Sequence, residues 1–244
     1  MKNELTINES KSTVLSGRRN FLKMSGLAVA GTGLLLVGCN DDEDDNNQQQ
    51  NNYPGMRDGV FDLGGGDLGI LTYAYALEQL EADFSTRVVN NAAFATAFSS
   101  TEQQAMIDIY NHEVMHREFF RNYLTDVLPD PENQLLQNLT FDYGTLNFGD
   151  RTAVLNMAKS LEATGIAAYN GAGRYLTNPQ HLLLAGKIVS VEGRHAAAIS
   201  MMIDPNSDQF APTPLDPAQM PSQVLNTIDS MNLIQTNFSA NFLS

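Results

Sequence analysis

The chain has one cysteine, Cys39, in 244 residues. It can form no internal disulfide and no thiolate metal site, so any metal must be held by imidazole and carboxylate groups. Positive charge is scarce as well: 14 Lys and Arg stand against 28 Asp and Glu. Such a balance disfavours nucleic acid and anionic lipid as partners. The apolar stretch from Leu27 to Val37 is short and broken by glycine, which is too little for a comfortable membrane span. No strand pattern of any length appears, and this leaves a helical chain.

The amino-terminal segment reads as an address. SGRRNFLKMSGLAVAGTGLLLVGC places Arg18 and Arg19 side by side before Phe21-Leu22-Lys23 and an apolar stretch. The paired arginines resemble a twin-arginine export signal, and LVGC resembles a lipobox in which Cys39 is acylated and becomes the new N-terminus. The expected product is a lipid-anchored protein facing the periplasm or the cell surface. NDDEDDNNQQQNN follows Cys39; it is too polar and acidic to bury a core and reads as a solvated tether. Residues 1–38 carry a net +3, so the rest carries −17 against a formal −14 for the whole. An acidic surface suits cation attraction, although many exported proteins share it.

Four long helical stretches follow, then a fifth. The first runs from about Asp67, its expected N-cap, to Phe98. The second opens at SSTEQQ, with Ser100 and Gln103 in capping-box spacing, and stops at Leu128 before Pro129. The third runs from Asp150 to about Leu176. The fourth opens at Pro179, which suits a first helical turn, and stops at Asp204-Pro205. APTPLDPAQMP then precedes a last helix from about Pro221 to Leu243. Links one–two and three–four are only a few residues long, while link two–three is a long crossover. Two antiparallel hairpins joined by one crossover is the ferritin-like form of the four-helix bundle. The expected fold is therefore all-α: a ferritin-like antiparallel four-helix bundle plus a C-terminal helix. The expected organisation is signal peptide 1–38, acidic disordered tether 39–58, bundle 59–204, and a Pro-rich link with a C-terminal helix packed on the bundle, 205–244.

Each bundle helix has an apolar stripe at three- and four-residue spacing. Helix two shows Met106, Ile109, Phe120, Tyr123 and Val127; helix four shows Leu182, Ala185, Ile188, Ile199 and Met202. Helix three shows Val154, Ala158, Ile166, Tyr169 and Leu176; helix one shows Leu71, Ala74, Phe84 and Val88. Every stripe is interrupted by glutamate near its middle: Glu78 and Glu81, Glu113, Glu162, Glu192. In two helices a histidine follows three residues later, His116 and His195. An ionised carboxylate in an apolar interior costs several kcal/mol unless it is paired, protonated or bound to a cation. The basic side chains nearby (Arg117, Arg121, Lys159, Arg174, Lys187, Arg194) mostly fall off the stripes. Two divalent ions would neutralise four carboxylates, and two imidazoles would complete the site. One Glu from each of two helices and Glu-x-x-His from each of the other two is the donor set of a di-metal carboxylate bundle.

ILTYAYALEQLEADF, HEVMHREFF, LEATGIAAYNGAG and VEGRHAAAI, taken in order over residues 67 to about 200, resemble the bacterial ferritin-like domain proteins of the desiccation-related type. The resemblance implies a ferritin-like bundle and a two-iron centre, without implying one settled activity. The expected ligands are Glu78, Glu113, His116, Glu162, Glu192 and His195, with Glu81 as the alternative to Glu78 or an outer-shell partner. Manganese and zinc stay open, because their ligand sets overlap with that of iron. Tyr169 is the candidate redox or hydrogen-bonding tyrosine, with Tyr73 second; ordinary core packing is the plainer role for either. His112 is expected beside the site, in its outer shell or simply exposed.

Three functions compete. The leading one is a di-iron protein reacting with O2 or peroxide, in iron oxidation or in oxidative or desiccation stress. The second is a scaffold or stress lipoprotein without a working metal site. The third is a zinc protease, since HEVMH fits H-E-x-x-H; it also needs a third ligand and a cleft usually edged by a strand, and no strand pattern is seen. Expected partners are metal ions, small oxidants and a membrane through the acyl anchor, with no nucleic acid; a homo-oligomer stays open.

Overall fold

Every residue from Gly69 to Ala82 is buried in helix α1 (Gly66–Val89). A helix buried all round needs cover on every side, and the computed structural model shows what supplies it. Residues 53–243 are described; Arg18, Arg19, Cys39 and the acidic run after it lie outside them. Helix α3 (Ser100–Val127) packs along one side of α1, and α5 (Arg151–Ala172) along another. The long crossover covers the third. There Leu139 N–H donates to Gln79 Oε1 (2.8 Å), and the Tyr143 hydroxyl donates to the Leu80 carbonyl (3.3 Å). Leu136, Leu139 and Tyr143 are buried with them. Helix α6 (Pro179–Ile203) packs on α5, while α3 and α6 touch more sparsely. The result is a mostly helical bundle of two antiparallel hairpins. Among the described residues, no helix is long and apolar enough to cross a membrane.

Local chemistry sets the helix ends. Ser99 and Glu102 form the capping box of α3, one residue earlier than the Ser100–Gln103 spacing suggested. Asp150 caps α5 by accepting from Thr152 and Ala153 N–H. Asn178 caps α6, with Pro179 in its first turn. Asp67 was expected to cap its own helix, but Gly65 holds the N-cap. The Asp67 carboxylate instead reaches the α5–α6 turn and accepts from Thr177 N–H, the Thr177 hydroxyl and Asn178 N–H. It also accepts from His181 Nδ1 at 2.6 Å, and His181 Nε2 lies 2.7 Å from the Tyr123 hydroxyl. Three bundle helices are tied at one end by this network.

Several elements differ from the expectation. The first helix ends at Val89 rather than Phe98, and a short α2 (Phe94–Ala97) fills the link. Another short helix, α4 (Pro131–Gln134), opens the crossover. Val127 and Leu182, placed on the apolar stripes, are exposed near helix ends. The last helix, α7 (Pro221–Met231), stops well before Leu243, because Asn232 takes a left-handed conformation (φ +52°). A small sheet exists where none was expected. Strands β1 (Gly55–Arg57) and β2 (Val60–Asp62) form a hairpin, and β3 (Phe238–Ser239) adds parallel to β2. Residues 55–57, assigned to the tether from composition, are thus strand. Buried Asp62 locks the sheet by accepting from Arg57 Nη1 (2.8 Å), Gly64 N–H (2.8 Å) and the Ser239 hydroxyl (2.7 Å). Strands this short carry no readable alternation.

The C-terminal segment is fastened to α5. Gln219 N–H donates to the Ala167 carbonyl (2.9 Å), and Asn170 Nδ2 donates to the Pro217 carbonyl (3.2 Å). Gly171 permits this approach, since a Cβ there would stand 1.6 Å from the Gln219 carbonyl oxygen. Val224 and Ile228 then bury the inner face of α7.

Candidate metal centre

Four helices bring seven charged or titratable groups to one level of the bundle. Glu78 and Glu81 come from α1, Glu113 and His116 from α3, Glu162 from α5, and Glu192 and His195 from α6. Glu78 and Glu192 are 0% exposed, and Glu113 is 1% exposed. Each pair three residues apart shares a helix face, so a Glu-x-x-His segment aims both groups at the same space.

The groups fall into two overlapping sets: Glu78, Glu113, His116 and Glu192, and Glu113, Glu162, Glu192 and His195. Within each set the donor atoms lie within 4.8 Å of one another. Glu113 and Glu192 belong to both. His116 Nδ1 is 3.0 Å from Glu192 Oε1, 3.4 Å from Glu78 Oε2 and 3.5 Å from Glu113 Oε2. His195 Nδ1 is 2.7 Å from Glu113 Oε1, 3.3 Å from Glu192 Oε2 and 3.5 Å from Glu162 Oε2.

These are ion-pair distances, yet most of the atoms lack hydrogen-bond alignment. Glu78 Oε2, both Glu113 oxygens, His116 Nδ1, Glu162 Oε2 and Glu192 Oε1 have no aligned partner. Buried polar atoms are seldom left so. Within each set they lie close enough together to share one cation. Oxygen and imidazole donors suit iron, manganese or zinc.

Electrostatics point the same way. Burial pushes the Glu78 carboxyl up to about 7, partly offset by His116. Burial and the four surrounding carboxylates hold Glu81 well above the usual range. Glu162 is raised by burial, against the pull of His195. Burial opposes ionisation of Glu192 too, but hydrogen bonding to both imidazoles brings it down to about 2. Burial would lower both histidines; instead their carboxylate neighbours raise His116 far above its ordinary value and His195 to about 12. Positive charge is demanded at both imidazole positions, and either protons or metal ions can supply it.

Surrounding residues orient the donors. The Tyr169 hydroxyl donates to Glu78 Oε1. His112 Nδ1 lies 3.0 Å from His195 Nε2, with the rings stacked 5.2 Å apart. A proton on His195 Nε2 donated to His112 leaves His195 Nδ1 facing the carboxylates as a lone-pair donor. His112 joins neither donor set, so HEVMH does not give two histidines to one ion and the zinc-protease arrangement is not formed. Between the two helix-one candidates, Glu78 sits in a donor set and Glu81 in neither. Glu81 remains buried beside the cluster with Oε2 unpartnered. Gly165 makes room for it: a Cβ there would fall 2.7 Å from Glu81 Oε1. Sequence reasoning missed this fit and the Asp67–His181–Tyr123 network. Gly165 follows Glu162 by three positions in LEATG, the one signal that it faces the same space.

Residues 66–205 match the family model described as a ferritin-like domain. No curated protein matches the chain.

Proposed function

Because the chain belongs to the ferritin-like domain family, we propose that its buried cluster holds two iron ions and reacts with O2 or peroxide. One ion would sit with Glu78 and His116, the other with Glu162 and His195, and Glu113 and Glu192 would be shared. The observation that carries this reading is the pair of overlapping four-donor sets with Glu113 and Glu192 common to both. When bound, a ferrous pair supplies the two electrons that, with two protons, convert O2 to hydrogen peroxide. The chain's own residues hold that chemistry in place. The four ligand carboxylates balance the charge of two divalent ions. Tyr169 fixes the Glu78 oxygen that faces away from His116. His112 orients His195. Glu81, buried beside the ligands with one oxygen unpartnered, is placed to exchange a proton there.

The remaining parts of the proposal concern place and role. We assign Arg18 and Arg19 to twin-arginine export and Cys39 to an acyl anchor, which puts the bundle outside the cytoplasmic membrane on an acidic tether. The twin-arginine route carries folded proteins, so metal could be loaded before export. A role in oxidative or desiccation stress fits such a protein.

A scaffold without metal is the second reading, favoured by one observation: two imidazoles already lie against the carboxylates at 2.7–3.5 Å, where protonation would give them the counter-charge. The test is metal stoichiometry on the full-length chain expressed with added iron. About two irons per chain supports the di-metal site. A folded chain that takes up no iron, manganese or zinc establishes the scaffold.

A further inference from the structure

Tyr123 on α3 belongs to a hydrogen-bond chain outside the metal centre. Its hydroxyl lies 2.7 Å from His181 Nε2, and His181 Nδ1 lies 2.6 Å from Asp67 Oδ2. Burial raises the Asp67 carboxyl, but hydrogen bonds from Thr177, Asn178 and His181 bring it down to about 2, so at neutral pH it can only accept. A neutral His181 therefore carries its proton on Nδ1 and offers its Nε2 lone pair to the phenol. Among the described residues no other tyrosine hydroxyl rests on an imidazole. Tyr143 donates to a carbonyl, Tyr169 donates to the Glu78 carboxylate, and the buried Tyr73 hydroxyl has no partner. Tyr123 follows His116 in α3 by about two helical turns, which keeps it on the same face about 10 Å along the axis. Its ring stacks on Phe119, with centroids 6.0 Å and planes 11° apart, and Phe119 is 39% exposed. Tyr123 thus stands between the cluster and an aromatic at the surface.

Resting on the di-metal reading above, we propose that Tyr123 is an electron relay, oxidised to a neutral radical as its electron passes to the metal centre and its proton to His181, and restored by a small one-electron reductant at the Phe119 surface. The chemistry calls for such a route. A ferrous pair's two electrons carry O2 only as far as hydrogen peroxide. Reduction of that peroxide to two waters takes two more electrons and two more protons, and the protons come from solvent. The electrons enter one at a time through Tyr123. Its O–H bond breaks, the electron goes to the oxidant at the centre, and the proton crosses the hydrogen bond to His181 Nε2. Without a base, loss of an electron would leave a phenol cation, which is costly to form; a base already in contact removes that cost. Asp67 stabilises the imidazolium that results, as a buried carboxylate does behind a catalytic histidine. A reductant of the phenol or enediol class then returns one electron to the Tyr123 oxygen, and His181 returns the proton.

The first test needs no metal. The full-length chain, cleared of metal by chelation, is oxidised by photo-generated ruthenium(III) tris-bipyridine, frozen, and read by electron paramagnetic resonance. A tyrosyl radical is expected whose high-field g values report a hydrogen bond to the phenoxyl oxygen. It should vanish in Tyr123→Phe and persist in Tyr169→Phe. His181→Gln, checked for folding by circular dichroism, should lose the hydrogen-bond signature and form the radical about a hundredfold more slowly; a clamp that merely ties helices together would change neither. A radical that ignores Tyr123→Phe, or that keeps its g values and its rate in His181→Gln, overturns the proposal. The second test mixes anaerobic ferrous-loaded chain with O2 and freezes it within milliseconds. The same radical is expected, and added ascorbate should quench it. A radical lost in Tyr169→Phe but not in Tyr123→Phe, or one that ascorbate leaves intact, is equally fatal, as is a loaded chain that reacts with O2 and yields no tyrosyl radical. A chain that binds no metal is recognised earlier, in the iron analysis; it removes the functional reading and the relay with it, whatever the light-driven signal shows.

Discussion

Metal loading should stabilise this protein by an amount that can be worked out in advance. A ligand that binds only the folded chain stabilises it by RT ln(1 + [L]/Kd), about 2.7 kcal/mol for each ion at a hundredfold excess over Kd. Two ions in the paired donor sets then contribute about 5 kcal/mol. For a folded unit of this size each kcal/mol moves the melting temperature by about 2–4 °C, so the loaded protein should melt about 10–20 °C above the metal-free one. The assay is thermal unfolding by circular dichroism: after chelation, with anaerobic ferrous iron, and with manganese or zinc. Variants divide the effect. Glu192 belongs to both donor sets, so Glu192→Gln should abolish most of the increment. Glu162 belongs to one, so Glu162→Gln should leave about half. Comparing loaded with chelated protein for each variant cancels what the substitution does to the metal-free fold. A melting temperature that ignores all three metals, in a folded wild-type chain, would refute the reasoning. So would Glu162→Gln and Glu192→Gln losing equal increments, because the shared position of Glu192 would then mean nothing.

Four further outcomes are expected. His112→Ala should weaken the ion held with His195 by about ten- to a hundredfold, read by metal titration, and leave the ion held with His116 unchanged. Gly171→Ala should destabilise the fold by about 2–4 kcal/mol, because its Cβ would meet the Gln219 carbonyl at 1.6 Å and lift the linker off α5; faster proteolysis between residues 205 and 220 would show it. Burial raises the Asp67 carboxyl, but hydrogen bonds from Thr177, Asn178 and His181 outweigh it and bring it down to about 2 from 3.8. Its contribution is therefore complete above the unfolded value and is lost as pH falls through the folded one; Asp67→Asn should flatten the melting curve in that acid window, a change of about 1–2 kcal/mol after solvent screening. Cys39→Ser should release the chain from membranes into the soluble fraction, and fatty-acid label persisting on that variant would sink the acyl anchor.

The cluster could be read from the sequence because helical periodicity is local. Glu113 and His116 are three apart, so any helix that buries one aims the other at the same space. The apolar residues on either side of each glutamate set its depth, and four stripes broken at the same height called for a shared counter-charge. The starts of the third and fourth bundle helices followed from Asp150 and Pro179 for the same reason. What escaped notice depends on contacts between distant segments. The sheet escaped because its strands are too short to alternate, and its order is set by Asp62 gathering donors from both ends of the described chain. Asp67 looked like an N-cap because position alone favours that role, yet its carboxylate is taken by the turn before α6.

Glu81 and Gly165 carry this furthest. On α1, Glu81 competes with Glu78 for the ligand role, and nothing within the helix decides between them. On α5, Gly165 is an ordinary small residue that lowers helix propensity by about 1 kcal/mol. Only the packing of α1 on α5 shows that the missing side chain of one is the space occupied by the carboxylate of the other. That fit fixes the division of roles: Glu78, restrained by Tyr169, joins the donor set, while Glu81 stays beside it, buried, with one oxygen unpartnered. A fifth carboxylate in excess of the four that two divalent ions neutralise is costly unless it holds a proton. In the di-iron reading proposed above, reduction of O2 consumes protons, and Glu81 is the buried carboxylate placed beside the donor atoms to pass one on.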